Sequence, residues 1–135
     1  MSSLTSSDSS PILRPFGRPV GLYEKAMPAD WSWSQRMAAA AEAGYDYVEI
    51  CVDESDERLA RLDWSSPQCA EVRHATACAG IRSLTLCLSA HRKYPLGSQS
   101  PATRRRSLDI MRRGLDLAAE LDAKVILMEV YDVFY

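Results

Sequence analysis

The chain has 135 residues, which is enough for one domain with an apolar core and too few for two. Its composition, with 47% hydrophobic and 25% charged residues, is typical of a soluble globular protein, and no apolar run approaches the roughly 18 residues that a membrane span needs. A formal net charge of -2 gives no overall attraction to nucleic acid or to an acidic membrane surface, so neither is expected as a partner.

The cysteines and the amino terminus indicate the compartment and the domain limits. The four cysteines form no C-x-x-C pair, so we expect neither a disulfide framework nor a zinc site, and the cytoplasm is the predicted location. Six of the first ten residues are serines, and no basic start followed by an apolar run marks a secretory signal. We therefore predict a flexible leader over residues 1–18 and a single domain over residues 19–135.

Four apolar runs predict β-strands, at residues 20–24, 47–52, 83–88 and 124–130. The second, third and fourth are nearly continuous apolar runs, the pattern of strands that are buried on both faces of a parallel sheet.

Helical patterns with clear start and stop signals lie between the strands. Ser32 begins the first helix as part of a capping box, and Gly44 ends it. Ser66 is the expected cap of the second helix, which Gly80 ends, and Ser100 is the expected cap of the third. The predicted inward-facing positions of the second helix are Cys69, Val72, Thr76 and Ala79. Those of the third are Leu108, Met111, Leu115 and Ala118, widened by Ile110, Leu117 and Leu121.

The alternation of strand and helix predicts an α/β protein with parallel strands. Three βα units and a fourth strand fit the N-terminal half of a (β/α)8 TIM barrel, since a complete barrel takes about 250 residues. A flavodoxin-like open sheet is the alternative, although such a sheet normally finishes on a helix. Because no helix follows the fourth strand, we expect a partial barrel that is truncated at its C-terminus.

Polar side chains gather where each predicted strand ends, the place where parallel α/β sheets bind ligands. Glu49 interrupts the second strand, and a carboxylate there is costly unless it is functional or belongs to a structural ion pair. The residues predicted to bind substrate are Tyr23, Glu24, Glu49, Asp53, Ser89, His91, Arg92 and Tyr131.

Two of these polar segments have a second interpretation. His91, Arg92 and Lys93 suit a phosphate or a carboxylate, but they would equally suit a surface loop with scattered charge. For residues 53–58 a solvated turn and short helix is the favoured interpretation, with Ser55 or Asp56 as its cap.

Four sequence blocks resemble the L-ribulose-5-phosphate 3-epimerase family, also called L-xylulose-5-phosphate 3-epimerases, within the xylose-isomerase-like TIM barrels. The resemblance covers residues 20–135 and meets the amino-terminal half of the family's barrel. The blocks are residues 21–28 (GLYEKAMP), 44–50 (GYDYVEI), 52–64 (VDESDERLARLDW) and 87–98 (CLSAHRKYPLGS).

The resemblance implies interconversion of L-ribulose 5-phosphate and L-xylulose 5-phosphate by metal-assisted proton transfer at C3. It implies a divalent metal, Mn or Zn, and a phosphorylated ketopentose as partner, with a homo-oligomer for a full-length form. In the family the catalytic carboxylates and the metal ligands come from later strands, beyond residue 135. We therefore assign no catalytic residue and no metal ligand to this chain.

One departure from the family and two alternative functions remain. Glu129 and Val130 stand where family members carry a small Ala-Gly pair, and a bulkier charged pair at a strand's mouth would crowd the pocket. We expect this truncated chain to be inactive alone. The alternatives are a half-barrel interaction module and a small anion-binding α/β domain without catalysis.

Overall fold

The computed structural model describes residues 17–129, so most of the predicted leader, together with Tyr131, lies outside the described residues. No helix in this part of the chain is both long and apolar enough to cross a bilayer. The strands are β1 (Gly21–Tyr23), β2 (Tyr47–Val52), β3 (Ser83–Leu88) and β4 (Ala123–Met128). The helices are α1 (Trp33–Glu42), α2 (Asp56–Leu59), α3 (Ser66–Ala79) and α4 (Pro101–Glu120), with 3-10 turns at Glu24–Ala26, Ala60–Asp63 and Ser89–Arg92.

The four strands form one parallel sheet in the order β1-β2-β3-β4. This confirms the predicted α/β class with parallel strands. A flavodoxin-like sheet would place its first strand between the second and third, whereas a barrel keeps the strands in chain order. The observed order therefore supports the half-barrel and removes the open-sheet alternative.

The two faces of the sheet differ in chemistry. Because successive side chains of a strand point to opposite faces, each strand contributes to both. The outer face packs against α1, α3 and α4, and its residues on β2 and β3 are fully or almost fully buried. We call the opposite face, which carries Glu49, Cys51, Thr85 and Cys87, the inner face. The outer-face strand residues of the core are Val48, Ile50, Val52, Leu84, Leu86 and Leu88.

The helix ends follow the sequence signals with one correction. The Ser32 hydroxyl accepts a hydrogen bond from the Gln35 backbone at 3.3 Å, and Gly44 has a φ of 86°, as predicted for the ends of α1. For α3 the predicted cap, Ser66, is wrong, because Ser65 has the extended backbone of a cap and Ser66 is already helical. Both serines precede Pro67, which is tolerated anywhere in the first turn, so composition did not distinguish them.

The predicted inward face of α4 is partly wrong. Leu108 and Leu115 are 48% and 54% exposed. Ile110, Leu117, Ala118 and Leu121 are buried, as predicted. The helix also packs through Gly114, which was not predicted, and a Cβ added there would lie 2.6 Å from the Leu88 side chain. A small residue at this crossing lets the helix lie close to the sheet. The helix residues that contact the sheet are therefore determined by this close approach, and not by which apolar side chains are largest.

The predicted limits of the outer strands also change. β1 ends at Tyr23, because Glu24 begins a 3-10 turn, and β4 spans Ala123–Met128 within the described residues. The predicted limits of β2 and β3 are confirmed.

Candidate functional site

Four side chains meet on the inner face at the carboxyl ends of β1, β2 and β3. The Tyr23 hydroxyl donates to the Cys51 sulfur at 2.9 Å, and the Ser89 hydroxyl lies 3.5 Å from the same sulfur. Cys87 is the register partner of Cys51 on the neighbouring strand. We call Tyr23, Cys51, Cys87 and Ser89 the inner cluster.

The contacts within the inner cluster favour a negative charge on one of its two sulfur atoms. Interaction with the neighbouring Cys87 thiol, assisted by Tyr23 and Ser89, outweighs burial and lowers the pKa of Cys51 to about 6. The pKa of Cys87 rises because of that interaction and burial, and the pKa of Tyr23 rises through burial and its bond to Cys51. Cys51 is therefore the group of the cluster that most readily carries a negative charge.

Glu49 lies on the same face, closer to the amino ends of the strands. It is half-buried, and the Thr85 hydroxyl donates to its carboxylate at 3.4 Å. Burial, helped by repulsion from Glu129, raises the Glu49 pKa despite the Thr85 hydrogen bond. No cation of residues 17–129 forms an ion pair with Glu49, so the structural ion pair considered as an alternative is not found there.

Asp53 lies just beyond β2 and is held by cations and a turn. Lys25 reaches its carboxylate at 2.6 Å, Arg58 approaches at 3.5 Å, and the Ser55 backbone donates to it at 2.9 Å. Burial alone would raise the Asp53 pKa, but the bonds from Lys25 and Ser55 outweigh it and lower the pKa to about 2. Ser55 also caps α2, as one sequence alternative predicted, but Asp53 itself is only 6% exposed and is not part of a solvated turn.

Glu24 is only 1% exposed and is enclosed by protein donors. One carboxylate oxygen accepts from the Cys51 backbone at 3.1 Å and pairs with Arg61, with Arg58 at 3.4 Å. The other oxygen pairs with Arg36 of α1 at 3.3 Å. The arrangement ties the ends of β1 and β2 to the helical layer.

His91 is also buried, at 1% exposure. Its Nδ1 and Nε2 each lie 3.3 Å from a backbone carbonyl, of Leu88 and of Ser107 respectively, so the ring bridges the end of β3 and α4. Arg92, by contrast, has a side chain 56% exposed and lies 3.7 Å from the Glu54 carboxylate. Of the basic segment that suggested anion binding, Arg92 and Lys93 face solvent and His91 does not.

Sequence reasoning missed the contributions of Cys51 and Arg61. Cys51 lies within an apolar run, but its position two residues after Glu49 places it on the same polar face. Arg61 had no local signal, because its partner Glu24 is 37 residues away. Such a contact exists only after the strands are assembled.

The implied divalent metal finds no ligand set in the described region. No three His, Cys, Asp or Glu side chains among residues 17–129 converge so as to hold a metal ion. The carboxylates of Glu49 and Glu129 repel each other, and Cys87 lies near both. Because the pKa of Cys87 is raised, its sulfur is a poor metal ligand, and the two carboxylates lack a suitable third donor. We assign no metal ligand here and derive no step through a metal.

The strand order, the single helical layer and the polar side chains at the carboxyl ends define part of a (β/α) barrel. Residues 37–133 match the family described as xylose isomerase-like TIM barrel, and the chain belongs to that family. It is 48% identical over 117 residues to L-ribulose-5-phosphate 3-epimerase UlaE of Salmonella heidelberg (strain SL476), and 46% identical over 117 residues to UlaE of Escherichia coli O139:H28. Both alignments cover 87% of this chain and 41% of the relative, so the chain spans about two fifths of the length of these relatives.

Solved structures show the same fold. A crystal structure of D-psicose 3-epimerase in the presence of D-fructose superposes with a TM-score of 0.69 at 19% identity, covering 87% of this chain and 41% of that one. D-psicose 3-epimerase with D-tagatose from Clostridium cellulolyticum H10 gives a TM-score of 0.68 at 19% identity, covering 82% of this chain and 37% of that one. This likeness confirms the predicted partial TIM barrel.

Proposed function

We propose that this chain provides the amino-terminal part of the substrate pocket of a sugar-phosphate epimerase that interconverts L-ribulose 5-phosphate and L-xylulose 5-phosphate at C3. The observation that carries the proposal is the meeting of Tyr23 and Ser89 at the carboxyl ends of neighbouring strands, with Glu49 on the same face. The reaction is taken from relatives that are 46–48% identical over the same 117 residues.

The chemistry favours a pocket with hydroxyl groups and a carboxyl group. The C3 proton of a 2-ketose lies next to the carbonyl, so a carboxylate on one side can remove it to give an enediolate, and a carboxylic acid on the opposite side can return a proton to C3. Tyr23 and Ser89 can exchange hydrogen bonds with sugar hydroxyls. Glu49, whose carboxyl group is half-buried on the same face, can also form a hydrogen bond with a sugar hydroxyl.

We propose different roles for the other predicted binding residues. Arg92, exposed at the rim, is placed to meet the phosphate of the ketopentose. Glu24, Asp53 and His91 are positioning residues, because their polar atoms already bind protein groups. Tyr131 lies outside the described residues and stays a predicted binding residue.

The cofactor, the location and the assembly remain parts of the proposal. A divalent metal, Mn or Zn, would polarise the C2 carbonyl and its neighbouring oxygen when bound. A cytoplasmic location and a homo-oligomeric full-length form are likewise proposed.

Turnover and ligand binding test the proposal together. Alone, the 135-residue chain is expected to show no interconversion with added Mn2+ or Zn2+, because residues 17–129 provide no ligand set for the metal. L-ribulose 5-phosphate is expected to raise its melting temperature, since a ligand that binds only the folded state stabilises it. Tyr23→Phe and Ser89→Ala should reduce this rise.

The outcomes separate the proposal from its alternatives. Measurable turnover would overturn the expected inactivity, and no thermal shift with the sugar phosphate would overturn the pocket assignment. An equal shift with inorganic phosphate alone, lost in Arg92→Ala, would favour the anion-binding domain.

A half-barrel interaction module is the second candidate, and the edge strand favours it. Within residues 17–129, β4 pairs only with β3, and its Val125, Leu127 and Met128 are 57%, 46% and 41% exposed. An open apolar edge of this kind is a site for association. A defined dimer with cooperative melting in sedimentation and thermal experiments would support the module, and a monomer would contradict it.

A further inference from the structure

The inner cluster contains a pair of thiols on neighbouring strands, at a spacing that a disulfide can span. Cys51 and Cys87 are register partners on β2 and β3. Neighbouring strands lie about 4.8 Å apart, inside the roughly 4.4–6.8 Å range of Cα separations that a disulfide spans. Both side chains point to the inner face, since each follows a residue of the outer-face core, Ile50 or Leu86.

The surroundings of one thiol stabilise its thiolate form and those of the other do not, which is the difference that a reactive pair requires. The Cys51 sulfur accepts from Tyr23 at 2.9 Å and lies 3.5 Å from Ser89, so its surroundings stabilise a thiolate. Its pKa of about 6 agrees with this geometry, and the Cys87 thiol beside it stays protonated. A thiolate is the nucleophilic form of cysteine, and a neighbouring thiol can resolve its oxidised product.

The other two cysteines lack this arrangement. Cys69 is fully buried among the core residues, and burial raises its pKa. Cys78 is exposed on α3 and has His74 as its neighbour. Cys69 serves as an internal control in the same chain.

We propose that Cys51 and Cys87 form a dithiol site that hydrogen peroxide converts reversibly to a disulfide on the inner face. The Cys51 thiolate attacks peroxide, the O–O bond breaks, and a sulfenic acid and a hydroxide ion form. The Cys87 sulfur, after losing its proton to that hydroxide, attacks the sulfenic sulfur. The S–S bond forms, the S–O bond breaks and a second hydroxide leaves, which takes up a proton from solvent. In total two thiols are oxidised and one peroxide is reduced to two waters.

Burial determines the rate and the consequence of this step. Cys51 is 0% and Cys87 3% exposed, so peroxide reaches them only when the half-buried Tyr23 moves aside, and oxidation is slower than that of an exposed thiol. The disulfide removes the thiolate that Tyr23 binds. The proposal does not depend on the epimerase reaction, although oxidation would change the position of a side chain assigned to the substrate pocket.

Peptide mapping of the folded 135-residue chain tests the proposal, in a Cys78→Ser background that prevents links between chains. Trypsin cleavage at Arg61, Arg73 and Arg82 places the three remaining cysteines, Cys51, Cys69 and Cys87, on different peptides. After treatment with hydrogen peroxide and alkylation of free thiols, we expect one linked pair containing Cys51 and Cys87. Dithiothreitol should release it, and Cys69 should remain a free thiol.

Single variants identify the attacking sulfur. In Cys87→Ser we expect a sulfenic acid at Cys51 that dimedone traps, and in Cys51→Ser we expect neither a link nor a dimedone adduct at Cys87. If a variant does not fold, as judged by circular dichroism, the map of the parent chain decides alone. Oxidation that leaves Cys51 and Cys87 unlinked, or that links them to Cys69 as often as in urea-unfolded chain, would overturn the proposal.

Discussion

The two faces of the sheet carry opposite chemistry on the same strands. On β2, Val48 and Ile50 are fully buried in the outer-face core, while Glu49 between them lies half-buried on the inner face. The outer face has no polar strand residue in its core cluster. Stability therefore comes from one face, and the polar groups that could bind a ligand are collected on the other, where no helix of the described region covers them.

Two adjacent residues at the end of β1 also point to different sides of the sheet. The Tyr23 hydroxyl contacts Cys51 on the inner face, whereas the Glu24 carboxylate turns toward Arg36 and Arg61. Both residues were predicted to bind substrate from their position after the strand. The comparison shows that proximity in sequence does not place two polar groups in the same pocket.

The largest expected effect tests the role of Glu24. Glu24→Gln leaves Arg36 and Arg61 buried without a counter-charge, so we expect a loss of about 3–5 kcal/mol in the free energy of unfolding. Urea unfolding measures it. Glu42→Gln, at an exposed position of α1, is the control and should change stability by less than about 0.5 kcal/mol. Similar values for the two variants would mean that Glu24 is not structural.

The second prediction compares two apolar residues of α4. Ile110 is 0% exposed and Leu108 is 48% exposed. Ile110→Ala should cost about 2–4 kcal/mol through lost burial and a cavity, whereas Leu108→Ala should cost less than about 1 kcal/mol. Urea unfolding midpoints check both. The reverse order would mean that Leu108, and not Ile110, faces the core.

The third prediction concerns the approach of α4 to the sheet. In Gly114→Ala the new Cβ would lie 2.6 Å and 2.9 Å from the two methyl carbons of Leu88, which is fully buried and cannot swing into solvent. We expect a loss of about 1–3 kcal/mol from overpacking. Gly97→Ala, with nothing within 4 Å of its added Cβ, is the control. A stabilising Gly114→Ala would show that the helix can shift at little cost.

The smallest expected effect is a pH-dependent change in the free energy of unfolding when Glu49, on the inner face, is replaced. Because the Glu49 pKa is raised, the stability it contributes is fully present below its ordinary pKa and is lost as pH rises through the raised value. Glu49→Gln should therefore stabilise the chain by about 1 kcal/mol near neutral pH and make little difference near about pH 4.

Asp53 is the matched comparison, with the opposite sign. Its pKa is lowered to about 2, so its contribution is present above its ordinary pKa and is lost as pH falls toward 2. Asp53→Asn should destabilise the chain by about 1–2 kcal/mol at neutral pH and progressively less in acid. Urea unfolding of both variants across this range is the measurement, and equal pH profiles would contradict the assignment.

Much of the fold was predictable because its signals are local. The apolar runs of β2 and β3 and the capping box at Ser32 depend on neighbouring residues alone, and their predicted positions are confirmed. The buried face of α4 was predicted only in part, because it also depends on how closely Gly114 lets the helix approach Leu88. Sequence periodicity identifies the apolar side chains of a helix, whereas the shape of the contact between helix and sheet determines which of them are buried.

The sequence by itself determined that the strands are parallel, that helices connect them and that polar side chains follow the strand ends, because periodicity and turn residues act over short distances. Only the tertiary structure decided which polar groups stay open and which are enclosed. Glu24 and His91 find their partners 37 and 16 residues away, respectively. A carboxylate or an imidazole looks the same in the sequence whether its partner is a ligand or a distant part of the chain, so its role depends on the contacts that folding makes.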